Sequence, residues 1–263
     1  MGNHRLDSFR RIISSRSSRR TAVGALAAAA AGSLAVREVD AGSNRRRRRR
    51  KFRGCTRCCR KGRKNLAQVR VVHASPDAPN VDVYVDDQLA IQDLPYGEAA
   101  GLVDVPAGTR NIKVTPAGAT QPVVIDADID FAACMSSEVS ATGLLASIQG
   151  QVYPIPRMPL ANGEARARII HNSPGAPNVD VKVAGTQIFL AQNLAFPNAA
   201  DPVEVPAGIY DVEVLVAGTS TVVLTVPDVV LASREVYDIF AIGLVEGIPT
   251  FTVLPLSAQA CCR

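Results

Sequence analysis

The sequence predicts an all-β protein: two tandem immunoglobulin-like, small β-sandwich domains after a disordered basic N-terminal segment. Three observations carry this. The body of the chain repeats itself at an offset of 98 to 100 residues. Its apolar residues alternate with polar ones in short runs bounded by turn formers, the period of strands. Its basic residues are crowded ahead of the repeat. With 47% hydrophobic residues, 5% aromatics and no Trp, the cores must be built from Val, Ile, Leu and Ala, and a Val-rich chain leans towards sheets.

Residues 1–41 have the layout of an export signal. A basic n-region (Arg5, Arg10, Arg11, Arg16, Arg19, Arg20) precedes an uncharged Ala-rich run from Thr21 to Val36. As a helix that run spans about 24 Å, short of the roughly 30 Å of a bilayer core. Ser18, Arg19 and Arg20 resemble the twin-arginine export motif, with Ala22 where that motif usually carries a large apolar residue. Small residues lead up to Ala41, so cleavage is expected there and the mature protein is expected outside the cell or on its surface. The membrane is expected as a partner only through export or an uncleaved leader.

Residues 42–65 form an Arg- and Cys-rich segment. Gly42 to Lys64 holds 13 Lys and Arg and no acid. Like charges at this density cannot condense into a core, so disorder is expected. Residues 1–64 together carry a net +17 and the remainder −12, so the +5 of the whole chain describes neither part. The arm reads either as a solvated linker or as an adhesive for phosphate-rich polymers. Phe52 is its lone aromatic, so no specific nucleic acid is expected as a partner.

The cysteines are Cys55, Cys58, Cys59, Cys134, Cys261 and Cys262. An even count in an exported chain reads as disulfides first. A bridge from the first cluster to the last would close a loop of about 200 residues, a gain of roughly 4–5 kcal/mol in the chain-entropy model. Zinc is the alternative, but no second C-x-x-C completes a site.

Two domains are expected, residues 66–158 and 159–263. Val71 to Val83 (VVHASPDAPNVDV) returns as Ile169 to Val181 (IIHNSPGAPNVDV). Val105-Pro106-Ala107-Gly108 returns as Val205-Pro206-Ala207-Gly208, and Ala141-Thr142-Gly143-Leu144 as Ala241-Ile242-Gly243-Leu244. Between the copies, Pro154-Ile155-Pro156-Arg157-Met158-Pro159 predicts a connector that holds them semi-rigidly apart. About seven strands are expected in each copy. Val81, Val83 and Val85 alternate with Asp82, Tyr84 and Asp86, predicting a strand with one wet face and a hairpin tip at Asp86-Asp87-Gln88. Val-Pro-Ala-Gly suits a type I turn. Later strands are expected over 123–127, 138–142 and 147–153, and over 222–226, 235–242 and 250–254.

These blocks resemble the bacterial domain of unknown function 4397, over roughly residues 66–257. The resemblance implies an exported or surface protein that carries the domain in tandem; it brings no assigned activity. Copy two departs from copy one at Asn172 and Gly175, where copy one has Ala74 and Asp77.

The repeat motif singles out His73, Ser75, Pro76 and Asp82, and in copy two His171, Ser173, Pro174 and Asp180. A hydrolase would need a nucleophile beside a base and an acid orienting that base. His73, Ser75 and Asp77 supply the types, yet Gly175 breaks the set in copy two and no Gly-x-Ser-x-Gly elbow is present. The histidines are instead expected to end a strand and bond the backbone of the following turn, with Ser75 and Asp77 capping that turn's amides. Asp77, Asp82, Asp86 and Asp87, with Asp126, Asp128 and Asp130, offer hard oxygens for calcium. They read equally well as a solvated acidic edge. Tyr84 and Tyr96 are too few for a sugar-stacking platform. No catalytic residue, metal site or cofactor is therefore assigned. The expected role is non-enzymatic adhesion, envelope structure or protein interaction, with a cell-envelope polymer or another surface protein as partner. The alternatives are an exported hydrolase using His73 or His171, or a ligand- or calcium-binding module.

Overall fold

The computed structural model describes residues 65–261. Ser18, Arg19, Arg20, Ala41, the arginine arm, Cys55, Cys58, Cys59 and Cys262 lie outside the described residues.

Each repeat has eight strands, one more than expected. The first contains β1 (Leu66–His73), β2 (Val81–Val85), β3 (Gln88–Leu94), β4 (Val103–Pro106), β5 (Gly108–Pro116), β6 (Ile125–Phe131), β7 (Ser136–Thr142) and β8 (Gln149–Pro154). The second contains β9 (Glu164–His171), β10 (Val179–Val183), β11 (Phe189–Leu194), β12 (Val203–Pro206), β13 (Gly208–Val216), β14 (Val222–Leu231), β15 (Glu235–Ile242) and β16 (Thr252–Gln259). A short 3-10 turn, Leu145–Ser147, lies just ahead of β8. No α-helix occurs among the described residues.

Each repeat is a sandwich of two four-stranded sheets. The orders are β4-β1-β7-β8 and β3-β2-β5-β6 in the first, β12-β9-β15-β16 and β11-β10-β13-β14 in the second. All pairs are antiparallel except β1 with β7 and β9 with β15. Val69, Val71, Val83, Val114, Val139 and Phe131 fill the first core. Ala167, Ile169, Val181, Val214, Leu231 and Ile239 fill the second. The Asp86-Asp87 tip is a two-residue hairpin with both φ positive, 48° and 62°, as a type I′ turn requires. Val-Pro-Ala-Gly is a bend at Ala107 that carries the chain from β4 in one sheet to β5 in the other.

The connector does not hold the repeats apart. Both belong to one compact unit, and the outer faces of β4-β1-β7-β8 and β12-β9-β15-β16 pack on each other. Val72, Ala74 and Tyr153 of the first repeat join Ile170, Phe240, Ile242 and Leu254 of the second in one buried cluster. Ile155 of the connector and Leu160 just after it are themselves buried against Val236, Ala258 and Ala260. The physical reason lies in β1 and β9, whose second faces carry Val72 and Ile170 beside Arg70 and Arg168 and are buried as well as the first, so that each needs a cover. Val69 and Val71 face their own core while Val72 faces the other repeat.

Candidate functional site

The motif histidines end their strands and turn inward. His73 closes β1 and His171 closes β9, both fully buried. The Nε2–H of His73 donates to the carbonyl of Pro79 at 2.9 Å, and that of His171 to the carbonyl of Pro177 at 3.1 Å. A carbonyl only accepts, which places the ring proton on Nε2. His171 Nδ1 accepts the N–H of Ser173 at 3.4 Å. Burial pushes both imidazoles below the ordinary histidine range, opposed by the carbonyl partners. A general base must reach a proton on its substrate; in this position both rings are fully buried.

The serines do not cap their turns. Ser173 Oγ donates to the carbonyl of Gly243 at 2.5 Å, and Ser75 is buried at the equivalent place without a bond to a turn amide. Pro76 and Pro174 open the turns that follow. Asp77 does not cap its own turn either; it accepts the N–H of Leu145 at 2.7 Å, at the 3-10 turn.

Asp82 is the other motif residue that departs from its expected place. It is buried, and its carboxylate accepts the N–H of Asp93 at 2.8 Å and of Gly118 at 2.9 Å. Asp180 repeats this with Asn193 at 2.6 Å and Gly218 at 3.0 Å. Asp93 and Asn193 both have positive φ, 53° and 48°. Each aspartate thus pins two irregular backbone points to the start of a strand.

Asp86 and Asp87 at the β2–β3 tip and Asp126, Asp128 and Asp130 on β6 belong to the β3-β2-β5-β6 sheet. Asp86 pairs with Arg110 at 3.0 Å and Asp87 with Lys113 at 2.5 Å. Asp126 and Asp128 share the side-chain amide of Asn111, at 2.8 and 3.0 Å. With Asp130 they line β6, an edge strand. No group of three or more His, Cys, Asp or Glu is placed to hold a metal ion among the described residues. Neither Cys134 nor Cys261 is a free thiol.

The densest polar centre is one that strand periodicity does not reveal, in the seam between the repeats. Arg70 and Glu138 stand side by side on β1 and β7, with N···O 2.9 Å. Arg168 and Asp238 occupy the equivalent register on β9 and β15, bound two-pronged at 2.7 and 2.9 Å. All four are buried. Arg168 also donates to the carbonyl of Pro154 in the first repeat at 2.9 Å, and Arg70 to that of Ser257 in the second at 3.2 Å. Each arginine therefore binds an acid of its own repeat and a carbonyl of the other.

Around them, Tyr153 Oη donates to the Asn172 side-chain oxygen at 2.9 Å or the Pro197 carbonyl at 2.7 Å. Asn172 Nδ2 donates to Ser140 Oγ at 2.6 Å. Burial raises the Tyr153 phenol well above its usual range. From the connector, Arg157 donates to Gln68 at 2.8 Å, Ser136 at 2.9 Å and the Gln259 carbonyl at 2.8 Å. The departure of Asn172 from Ala74 thus has a structural basis: Asn172 reaches into the first repeat, while Ala74 lies in the apolar part of the seam. The visible signal was Arg70 between Val69 and Val71 in β1, and Arg168 between Ala167 and Ile169 in β9.

The model of the family described as Domain of unknown function (DUF4397) matches residues 67–182 and 165–260. No curated protein matches the chain. Similar solved structures include the CBMbc module of family CBM26 from Eubacterium rectale Amy13K, in complex with maltoheptaose. It is 9% identical, with a TM-score of 0.25 over 72% of this chain and 95% of that one. A protein of Parabacteroides distasonis, provisionally described as a cell adhesion protein, is 11% identical, with a TM-score of 0.21 over 75% and 98%. The Bacillus anthracis TIE protein is 11% identical, with a TM-score of 0.21 over 71% and 34%. Likenesses this distant say nothing about activity. The two family matches together run from residue 67 to residue 260, and the chain belongs to the family Domain of unknown function (DUF4397), carrying its domain twice.

Proposed function

We propose that the protein is exported, by a twin-arginine-type route, and serves outside the cell as a non-enzymatic module in adhesion or envelope structure. The observation that supports this reading is the direction of the motif's polar groups. His73, His171, Asp82 and Asp180 all point into their own repeat and bond its backbone, so the recurrent motif acts as a fold determinant. Charge segregation supports attachment: +13 on residues 42–64 against −12 on the body favours contact with an anionic envelope polymer through the arm. The even set of six cysteines, Cys55, Cys58, Cys59, Cys134, Cys261 and Cys262, is read as disulfide-forming in an oxidising compartment.

Fractionation of the source cells, with intact-mass measurement before and after reduction, tests this. The expected species begins at Gly42, gains mass on reduction and sits in the envelope fraction. Deleting residues 42–64 should move it into the medium. Retention unchanged by that deletion would remove the attachment role, and a reduced species with its leader, found only in the cytosol, would overturn export.

A further inference from the structure

The seam sets two carboxyl groups from different repeats against each other. Glu138 of β7 and Asp238 of β15 are both buried, and the Asp238 carboxylate bears on the Glu138 carboxyl by its charge and as a hydrogen-bond partner. Ionised carboxylates only accept hydrogen bonds, so a bond between two of them needs a proton on one. Asp238 already receives both prongs of Arg168. Glu138 has Arg70 at 2.9 Å, off the line of a hydrogen bond, and neither of its oxygens receives a donor. The proton therefore resides on Glu138.

We propose that this shared proton is a pH-sensitive clasp between the repeats, closed while Glu138 is protonated and weakened when solvent takes the proton. The groups facing Glu138 come from every element packed around it. They are Arg70 on β1, Tyr153 on β8 in direct register, Arg168 on β9 and Asp238 on β15. Arg157 of the connector repels Arg70 and is attracted by Glu235 of β15. Loss of the proton leaves adjacent buried carboxylates with donors for only one of them. Burial first, then Asp238, hold the Glu138 carboxyl well above its ordinary 4.5, against the pull of Arg70 and Arg168.

The sign follows from linkage. The closed seam holds the proton more tightly than an open one, in which Glu138 titrates normally. Closing is therefore strongest below pH 4.5 and weakens by up to about tenfold per pH unit above it, until the closed-state pKa is passed. Opening would uncover Val72, Ile170 and Phe240, all fully buried in the closed seam.

The test compares the full chain with Glu138→Gln, which keeps a donor towards Asp238 and cannot titrate. Hydrogen exchange is followed by mass spectrometry from pH 5 to 9, as protection factors for β7 and β15, with β5 and β13 as internal reference. The ratio of wild-type to E138Q protection in β7 and β15 should fall with pH and stay level in β5 and β13; the contribution of the histidines cancels in that ratio. Equal profiles in the two proteins would overturn the clasp. Should E138Q fail to fold, a carboxyl carbon-13 titration of the wild-type chain decides. A Glu138 resonance titrating far above the other glutamates supports the clasp, and one titrating among them ends it.

Discussion

Arg168 holds Asp238 with two parallel hydrogen bonds, from the position directly beside it on the parallel pair β9–β15. Arg70 and Glu138 stand in the same register on β1–β7. The duplication has thus placed two copies of one arginine–carboxyl pairing back to back, where each repeat covers the other's. Removing one partner leaves an uncompensated buried charge, which costs more than the pair contributes. Arg168→Met should therefore destabilise the protein by about 3–5 kcal/mol, measured by urea unfolding. The double variant Arg168→Met with Asp238→Leu should recover most of that loss. A double variant as unstable as the single one would show that the pair is net stabilising.

The buried histidines give stability a pH dependence of their own. Burial lowers the folded pKa of His73 and His171 below 6.5. The unfolded chain thus binds more protons below pH 6.5, so their contribution is complete above that pH and is lost as pH falls from 6.5 through the folded pKa values. A His73→Gln, His171→Gln variant should be less stable at neutral pH. Its unfolding midpoint should also change less between pH 7 and pH 5 than that of the wild type. Parallel midpoint curves for the two proteins would mean that the imidazoles do not titrate on unfolding.

The glycine of the repeated Ala-x-Gly-Leu block is a backbone requirement. Gly243 has φ +89°, and a Cβ there would lie 2.4 Å from the carbonyl oxygen of Thr250. Gly143 holds the same place in copy one, with φ +95° and 2.9 Å to the oxygen of Ser147. Gly185 has φ +69° with nothing within 4 Å, so Ala there meets only the left-handed penalty of about 1 kcal/mol. Gly243→Ala should cost clearly more than Gly185→Ala in thermal unfolding. Equal losses would show that the β15–β16 loop shifts freely.

What was legible in the sequence were features that rest on local chemistry or on repetition. Period-two runs placed β15 at Glu235–Ile242, and the Asp86-Asp87 tip followed from its turn residues. Asp82 was misplaced on a wet face because its strand alternates. The amides that hold it come from Asp93 and Gly118, and no strand period reports on groups that far along the chain. The seam was missed for the same reason. In β1, Val69 and Val71 face one side and Arg70 and Val72 the other, and the sequence of one strand does not say what covers its second face. The prolines of the connector suggested separation, yet Ile155 within it and Leu160 just after it are buried.

Asn172 is where the two copies had to diverge, and the divergence can be measured. Its side chain joins Ser140 Oγ, through Nδ2 at 2.6 Å, to Tyr153 Oη, through Oδ1 at 2.9 Å, both in the first repeat. Replacing it by the Ala of copy one deletes both bonds and leaves buried hydroxyls with fewer partners, a cost of about 1–3 kcal/mol. Tyr153→Phe should cost less, because it removes the hydroxyl along with its need for a partner, although the Pro197 carbonyl loses its donor. The two side chains share one hydrogen bond, so their effects should not add. In a double-mutant cycle read by urea unfolding, Asn172→Ala with Tyr153→Phe should destabilise by less than the sum of the single variants. Strict additivity would mean that Asn172 acts through Ser140 alone.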